Sequence, residues 1–150
     1  MAERSRARPT LLYLTKQVEL AIRASLDDIT RPVGLTALQY TALTVLDQHP
    51  DLTSAHLARH SFVTGQSMSD MVTVLLERGW VERRRDPADR RRLVIELTAA
   101  GHELLAQLRP RVAAVEARML SAVSTDEAGE LRRLLELCRE GLQQEGRGQE

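Results

Sequence analysis

One stretch in the second half of the chain, two strand-like runs joined by a turn, constrains the fold more than any other. Residues 80–85 and 93–97 carry β-branched and apolar side chains at the spacing of strands. Between them, the side chain of Asp86 can bond to its own following backbone, Pro87 presets φ for the second turn position, and Asp89 closes the loop. The sequence therefore predicts a two-stranded β-hairpin.

The predicted hairpin is loaded with arginine. Its guanidinium groups belong to Arg83, Arg84, Arg85, Arg90, Arg91 and Arg92, and the acids Glu82, Asp86, Asp89 and Glu96 lie among them. A guanidinium forms fork-shaped hydrogen bonds with phosphate that lysine cannot form. A narrow basic projection of this kind suits insertion between the phosphates of a nucleic acid. The alternative is a solvated hairpin whose arginines pair only with the neighbouring acids, and the hairpin alone does not separate the two.

The composition narrows the kind of nucleic-acid binder that this chain can be. The 150 residues carry zero formal net charge, so binding cannot be argued from the overall charge. Positive charge is instead local, because Lys16 is the only lysine and arginine is concentrated in the hairpin and near the N-terminus. Aromatic side chains make up 3% of the chain, too few for a platform that stacks single-stranded bases. A hydrophobic content of 43% suffices for one core with helical extensions.

The sequence indicates a cytoplasmic protein. Cys138 is the single cysteine, which excludes an internal disulfide and is typical of a reducing compartment. No apolar run approaches membrane-spanning length, and the arginine-rich first residues are not followed by the hydrophobic core of an export signal, so we expect no membrane partner. Cys138 falls on the apolar stripe of the last predicted helix, which favours a buried structural thiol over a redox switch.

Catalytic and metal-binding signals are weak. The sequence shows no nucleophile elbow and no Gly-rich phosphate loop, so we predict no catalytic residue, no cofactor and no enzymatic activity. His56 and His60 lie one helical turn apart, a spacing that metal sites use, but no cysteine or well-placed carboxylate nearby completes a ligand set. We therefore predict that these histidines bind no metal and that their imidazole rings face solvent or a DNA backbone.

Helical periodicity dominates the rest of the sequence. Apolar spacing and capping residues predict helices over 10–29, 36–48, 54–60, 66–78, 98–123 and 124–144. Capping boxes at Thr36 with Gln39 and at Ser124 with Glu127 mark two of the helix starts. Pro110 should kink the fifth helix rather than end it, because the apolar periodicity resumes beyond it. The remaining segments are predicted to be an arm over 1–9, a turn over 62–65 and a polar tail from 145.

The order short helix, tight turn, helix and two-stranded ribbon is that of a winged helix–turn–helix domain. A DNA major groove admits one α-helix, which has to present short polar side chains from its first turns while the domain holds its apolar back. The helix over 66–78 meets that demand, and the side chains predicted to face DNA are Gln66, Ser67, Ser69, Asp70 and Thr73. Gln66 suits bidentate pairing with adenine, and Asp70 suits acceptance from a cytosine amine. The ribbon would reach the neighbouring minor groove, where narrow A·T-rich tracts attract arginine.

With these motifs in place, the sequence resembles the MarR family of transcriptional regulators. The residues that carry the likeness are Leu57-Ala58, Leu75-Leu76-Glu77-Arg78-Gly79-Trp80-Val81-Glu82-Arg83, Asp86-Pro87-Ala88-Asp89-Arg90-Arg91 and Leu97-Thr98-Ala99-Ala100-Gly101. The resemblance implies a mainly α fold with a two-stranded β-hairpin wing. It assigns 36–98 to a winged helix–turn–helix region that binds DNA, and 10–31 and 99–145 to helices that form a dimerisation region. The implied protein is a homodimer, more a repressor than an activator, on a pseudo-palindromic operator of double-stranded DNA.

The resemblance also implies roles for single residues of the wing and for a ligand. Arg91 takes the place of the wing-tip residue that enters the minor groove, and Asp89 holds it there. Arg90 and Arg92 would lie beside phosphates, with Arg85 as a further DNA contact and Asp86 as a second residue that orients the wing. Relatives respond to a small ligand or an oxidant. Tyr13 and Tyr40 are candidates to line a pocket for a small aromatic or amphipathic ligand between the dimer helices and the winged domain, and the alternative for both is a place in the core.

One departure from the family pattern keeps a second function open. The recognition helix contains no basic residue between Gln66 and Glu77, and Asp70 adds repulsion toward phosphate. We therefore expect this helix to contribute modest affinity and the wing to contribute more. The alternative function is that of a helical dimer whose winged domain serves protein interaction, with DNA binding weak or lost.

Overall fold

The structure, a computed structural model of the chain, describes residues 7–61 and 63–145. Residues 1–6 of the predicted arm, Phe62 of the predicted turn and the polar tail beyond Glu145 lie outside the described residues. The elements are α1 (Leu11–Thr30), α2 (Ala37–Gln48), α3 (Ser54–His60), α4 (Gly65–Glu77), β1 (Val81–Arg85), β2 (Leu93–Leu97), α5 (Ala99–Met119) and α6 (Thr125–Glu145), with a short 3-10 turn over Arg31–Val33. The predicted mainly α fold with one hairpin is confirmed.

Local capping accounts for most helix starts. Threonine side chains accept a backbone N–H at the starts of α1, α2, α3 and α4, and the residues that do so are Thr10, Thr36, Thr53 and Thr64. Both predicted capping boxes are present. The Thr36 backbone N–H donates to Gln39 at 3.0 Å, and the Ser124 N–H donates to Glu127 at 3.1 Å. These bonds satisfy donors that a helix start otherwise leaves unpaired.

The end of α4 is set by Gly79, as its place in the sequence predicts. Gly79 has a φ of 73°, in the left-handed region that favours glycine. Its N–H donates to the Leu76 carbonyl at 3.0 Å, and the N–H of Trp80 donates to the Leu75 carbonyl at 3.1 Å. This pair of bonds is a Schellman motif, which closes the helix and turns the chain directly into β1.

Helix α5 runs through Pro110 without a break, so the prediction that this proline would not end the helix is confirmed. The predicted end at 123 was wrong, because α5 stops at Met119. Tighter turn bonds follow it: Ser121 donates to the Arg118 carbonyl at 3.3 Å, and Val123 donates to the Leu120 carbonyl at 2.9 Å. Shorter turns of this kind commonly end a helix ahead of the next cap.

The chain divides within α5 into two compact units, one up to Val112 and the other from Ala113. The core of the first unit combines residues from all of its helices and from the hairpin. The largest of its fully buried side chains are Leu43, Leu57, Met68, Leu75, Ile95, Val72 and Val94. Leu38 was predicted to face inward, and this was wrong, since it is 41% exposed. Leu43, on another side of α2, is completely buried instead.

The hairpin pairs antiparallel, with Val81 opposite Leu97 and Arg85 opposite Leu93. Leu52, in the turn between α2 and α3, forms a bridge with Ile95, whose N–H donates to the Leu52 carbonyl at 2.8 Å. The middle of β2 is therefore bonded to the turn that precedes α3.

The second unit consists of the end of α5 and of α6. A groove of about 430 Å³ lies between them, lined by apolar residues that include Met119, Leu131 and Leu135. Cys138 is exposed, so the prediction of a buried thiol was wrong for the single chain. Other residues of the stripe on which Cys138 lies are exposed as well, for example Leu134 at 44% and Leu142 at 67%, because few described residues of the same unit cover that face of α6.

Candidate nucleic-acid interface

The outer face of α4 presents the polar side chains that the sequence predicted. All five of the candidates are exposed: Gln66, Ser67, Ser69, Asp70 and Thr73. The opposite face buries Met68, Val72 and Leu75, so the helix is fixed to the core by its apolar back. Its first turn is capped by Thr64, whose hydroxyl accepts the N–H of Ser67 at 3.1 Å. This arrangement offers a polar helix surface with a positive dipole end to a groove.

Two of the α4 side chains bond to each other. The amide nitrogen of Gln66 donates to the carboxylate of Asp70 at 3.1 Å, and the hydroxyl of Thr73 donates to the Ser69 carbonyl at 3.0 Å. The bond from Gln66 to Asp70 directs the Gln66 amide along the helix and occupies one oxygen of the Asp70 carboxylate. A base that pairs with Gln66 can use its carbonyl oxygen and its second N–H, both of which the bond to Asp70 leaves free.

The loop of the wing is built by two aspartates. The Asp86 carboxylate accepts the N–H of Ala88 at 2.9 Å, as its position in the sequence predicts. The Asp89 carboxylate accepts the N–H of Arg91 at 3.0 Å. A backbone bond of 3.0 Å from Asp86 to Arg92 closes the loop across its base. The backbone at the tip is therefore fixed by side-chain acceptors.

Two arginines of the wing bond to other groups of the protein. Arg85, predicted to contact DNA, donates from Nη1 to the Arg90 carbonyl at 2.8 Å. Arg92, also predicted to contact DNA, has Nη1 at 3.5 Å from the Asp86 carboxylate and Nη2 at 3.3 Å from Nδ1 of His56. Both guanidinium groups brace the hairpin against itself or against α3.

Three further wing arginines stay available. Arg83, Arg90 and Arg91 are exposed, and the structure shows no side-chain hydrogen bond or ion pair from them to the residues it describes. Arg90 and Arg91 lie in the loop, beyond the end of β1 at Arg85. The tip of the wing therefore presents two guanidinium groups on a backbone that Asp86 and Asp89 hold in place.

The histidines are placed by contacts other than metal ligation. His56 faces Arg92, and the ring of His60 lies 4.8 Å from that of His49. Among the described residues, no group of three His, Cys, Asp or Glu side chains is close enough to hold a metal ion. Tyr13 is 56% exposed on α1 and Tyr40 is half-buried on α2, and the ligand pocket assigned to them stays a prediction.

Arg78 has a positioning role that the sequence did not reveal. Its guanidinium lies 4.2 Å from the centre of the Trp80 ring and donates to the Val33 carbonyl at 2.8 Å. Gly34 has a φ of 78°, and a Cβ there would lie 2.6 Å from the guanidinium of Arg78. The C-terminal end of α4 is thus tied to the corner between α1 and α2. The signal was hidden because the partners are far apart in sequence.

Taken together, a short helix, a turn, a second helix with an exposed polar face, and a hairpin with unpaired arginines at its tip define a winged helix–turn–helix protein. The sequence model of the MarR family matches residues 33–92 of the chain. The HTH-type transcriptional repressor Rv2887 of Mycobacterium tuberculosis is 35% identical over 124 residues, which cover 83% of this chain and 89% of that protein. The chain therefore belongs to the MarR family, and it is a transcriptional regulator.

Solved structures agree with this assignment. The Mycobacterium tuberculosis MarR family protein Rv2887 in complex with salicylic acid matches with a TM-score of 0.70 and 34% identity, covering 87% of this chain and 97% of that one. The transcriptional repressor CouR bound to a 23-mer DNA duplex matches with a TM-score of 0.74 and 27% identity, covering 87% and 92%. Over the residues described here, none of the helices combines the length and the apolar character that crossing a bilayer requires.

Proposed function

We propose that this regulator is a cytoplasmic homodimeric repressor that inserts α4 into the major groove of double-stranded DNA and the tip of the wing into the adjacent minor groove. The observation that carries the proposal is the pair of exposed guanidinium groups of Arg90 and Arg91 on a loop braced by Asp89. A fixed loop loses little conformational freedom on binding, and arginine is the side chain that narrow minor grooves attract. CouR, a relative of similar fold, is a repressor bound to a DNA duplex.

The contacts divide by the chemistry of each side chain. We assign base-edge contacts to Gln66 and Ser69 on α4, with Ser67, Asp70 and Thr73 as neighbours that reach bases or phosphates. Arg91 enters the minor groove and Arg90 contacts phosphate. Arg85 and Arg92 act mainly as braces, because their guanidinium groups already bond within the protein.

The proposed dimer uses the helices at the two ends of the chain, over 10–31 and 99–145. Their exposed apolar side chains support it, for example Leu11 at 82%, Leu12 at 80% and Leu142 at 67%. Apolar surface of this extent on a soluble regulator indicates a partner surface. A twofold axis would place two copies of α4 in successive major grooves of a pseudo-palindromic operator, roughly 34 Å apart.

A small aromatic acid is the ligand class that we propose for control of this dimer. The support is the structure of the relative Rv2887 in complex with salicylic acid. Tyr13 and Tyr40 are the residues that we assign to the pocket. A ligand that favours one spacing of the two α4 helices would change operator affinity through a coupling on the order of 1–3 kcal/mol.

The experiment is a mobility-shift titration with the intergenic DNA beside the gene, comparing the parent protein with Arg91→Ala and Cys138→Ser. We expect Arg91→Ala to weaken specific binding by about tenfold or more, within the range of one good base or groove contact. Cys138→Ser should bind as the parent does, because it replaces one sulfur by oxygen at a position outside α4 and the wing. Equal binding by the parent and Arg91→Ala would contradict the wing assignment. No specific shift with any fragment of that region would favour the protein-interaction function instead.

A further inference from the structure

Arg84 is held by two carboxylates from different parts of the first unit. Its Nε donates to Glu96 on β2 at 2.7 Å, and its Nη2 donates to the carboxylate of Asp51, in the turn between α2 and α3. The Arg84 and Glu96 side chains are 35% and 31% exposed, so the pair is shielded from water more than an ordinary surface pair is. The hydrogen bond to Glu96 is the main reason that the pKa of Arg84 is raised above its usual value.

The same turn is bonded to the hairpin through its backbone. Leu52, the residue after Asp51, accepts the N–H of Ile95 at 2.8 Å. Asp51 itself has a φ of 67°, a left-handed conformation that aspartate and asparagine tolerate better than most residues. The hairpin is therefore joined to the turn ahead of α3 at two points, one from each strand.

The strand register explains why Arg84 stays where it is. Glu82 and Glu96 are directly opposite each other across the hairpin, and like charges in that position destabilise a strand pair. Arg84 lies two residues from Glu82, on the same face, and neutralises Glu96. A phosphate that drew Arg84 away would leave Glu96 facing Glu82 and Asp51 without its partner. Arg84 is thus a poor candidate for a DNA contact although it lies next to the unpaired Arg83.

On the basis of the proposed function, we propose that Asp51, Arg84 and Glu96 form a charged clamp that fixes the wing relative to the α3–α4 pair, and that Arg84 and Asp51 are positioning residues for DNA binding. The wing clamp, as we name this set, keeps the tip arginines at the offset that lets α4 and the tip engage one duplex. It lowers the ordering cost of binding. Neither Asp51 nor Arg84 contacts DNA.

The first test removes the charge of Asp51 with Asp51→Asn, which keeps the left-handed backbone accessible. Loss of a negative charge should by itself leave DNA binding equal or make it tighter. The clamp predicts the opposite sign, a weakening of specific binding by about two- to fivefold, the range expected for an ion pair of this exposure. Glu103→Gln is the matched control, since Glu103 is an exposed carboxylate on α5 for which the structure shows no partner among the described residues. Binding by Asp51→Asn that is as tight as that of Glu103→Gln would overturn the proposal.

The second test is Arg84→Lys, which keeps the positive charge. One ammonium group cannot reproduce the geometry with which the guanidinium bonds to both Glu96 and Asp51. We expect binding to weaken while the salt dependence of binding keeps the parental slope, since no phosphate contact is lost. Arg83→Lys is the control on the same strand and should bind within about twofold of the parent. Parental affinity in Arg84→Lys would show that only its charge matters, and this would refute the clamp.

A third measurement does not involve DNA. Amide hydrogen exchange at Ile95 reports the bond to Leu52, and Asp51→Asn should speed exchange there while the amides of α2 keep their parental protection. Unchanged exchange at Ile95 would count against the clamp. Failure of the proposed function has a different signature: Arg91→Ala would then bind as the parent does, whatever Asp51→Asn does to exchange.

Discussion

At the scale of single residues, the division of the wing arginines makes a quantitative prediction. Arg90→Ala should weaken binding and lower the slope of log Kobs against log salt concentration by about 0.9, because one phosphate contact and its counterion release are lost. Arg85→Ala should weaken binding with a smaller change of slope, since its guanidinium bonds to the Arg90 carbonyl. Fluorescence anisotropy over a range of salt concentrations measures both. Equal slope changes in the two variants would mean that Arg85 also contacts phosphate.

Gly101 carries a second residue-scale prediction. A Cβ at this position would lie 2.2 Å from the Trp80 carbonyl oxygen, a backbone atom that cannot move aside cheaply. Gly101→Ala should therefore destabilise the fold by about 1–3 kcal/mol, the usual cost of overpacking a close contact. Urea unfolding measures the change. Gly141→Ala is the control, because a Cβ there meets nothing within 4 Å, and this change should be neutral or stabilising by up to about 1 kcal/mol. If Gly101→Ala is as stable as the parent, the Trp80 carbonyl oxygen does not lie this close to position 101.

Residue exposure on α4 was predictable from the sequence, whereas most polar partners were not. The alternation of Met68, Val72 and Leu75 with polar neighbours fixed which face would be buried, since helical periodicity is a local property. The contacts of Arg78 with Val33 and of Arg84 with Asp51 join residues far apart in sequence. No local pattern distinguishes such an arginine from Arg90, so the sequence alone could not tell which wing arginines have partners within the protein.

At the scale of elements, the capping box of α6 gives a stability prediction. The Ser124 hydroxyl accepts the Glu127 N–H at 3.1 Å. Ser124→Ala should lower the free energy of unfolding by about 1 kcal/mol, as the loss of an N-cap usually does. Thermal and urea unfolding at neutral pH measure the change. Ser121→Ala serves as the control, because it lies in the preceding turn, outside the box. An unchanged stability in Ser124→Ala would mean that water replaces the cap.

Glu127 adds a pH dependence to the same element. The backbone N–H of Ser124 donates to its carboxylate, and this bond is the main reason that the pKa of Glu127 is lowered from its ordinary value in the folded protein. A carboxyl whose folded pKa is lowered stabilises the fold fully above its unfolded pKa, and that contribution is lost as pH falls through the folded pKa. Glu127→Gln keeps a bond to Ser124 without the charge. Its stability relative to the parent should therefore rise as pH falls from 7 to below about 4. A pH-independent difference would exclude the charge of Glu127 as the cause.

Element order was predictable because caps and breakers are local signals. Thr36 with Gln39, Ser124 with Glu127, and Gly79 each marked a boundary that the structure has. The end of α5 was not predictable, since Val123 continues the apolar pattern although the chain has already left the helix. The prediction that Leu38 of α2 faces the core was wrong for a related reason. Leu38 and Leu43 are both apolar, and only packing decides which one is buried.

At the scale of the whole molecule, the exposed apolar faces predict association. Light scattering at micromolar concentration should give twice the mass of the chain. Leu137→Glu should shift the protein toward monomer and weaken operator binding by about tenfold or more, since a charge in an apolar interface is costly to bury. Arg139→Glu, an exposed charge reversal on the same helix, is the control for charge alone. A parent protein that scatters as a monomer would contradict the proposed dimer.

The exposure of Cys138 shows what the sequence of one chain cannot predict. An apolar stripe on α6 predicts burial, but the pattern does not say whether its own chain or a second copy covers the stripe. In the single chain Cys138 is exposed. Family membership was recognisable because the motifs around Gly79 and Asp89 are local. The helices proposed to form the dimer carry only apolar periodicity, which many helical proteins share.

Dimethyl sulfate footprinting of the operator is the most direct test of the central claim, that α4 and the wing tip read adjacent grooves of one duplex, because the reagent methylates guanine N7 in the major groove and adenine N3 in the minor groove. With the parent protein, we predict protection of guanine N7 in two major-groove segments about one helical turn apart, flanked by minor-groove segments in which adenine N3 is protected. In Arg91→Ala, the flanking minor-groove protection should disappear while the inner protection remains at saturating protein. If the flanking protection persists in Arg91→Ala, or if the parent never protects the minor groove, the wing does not enter it and the claim is wrong.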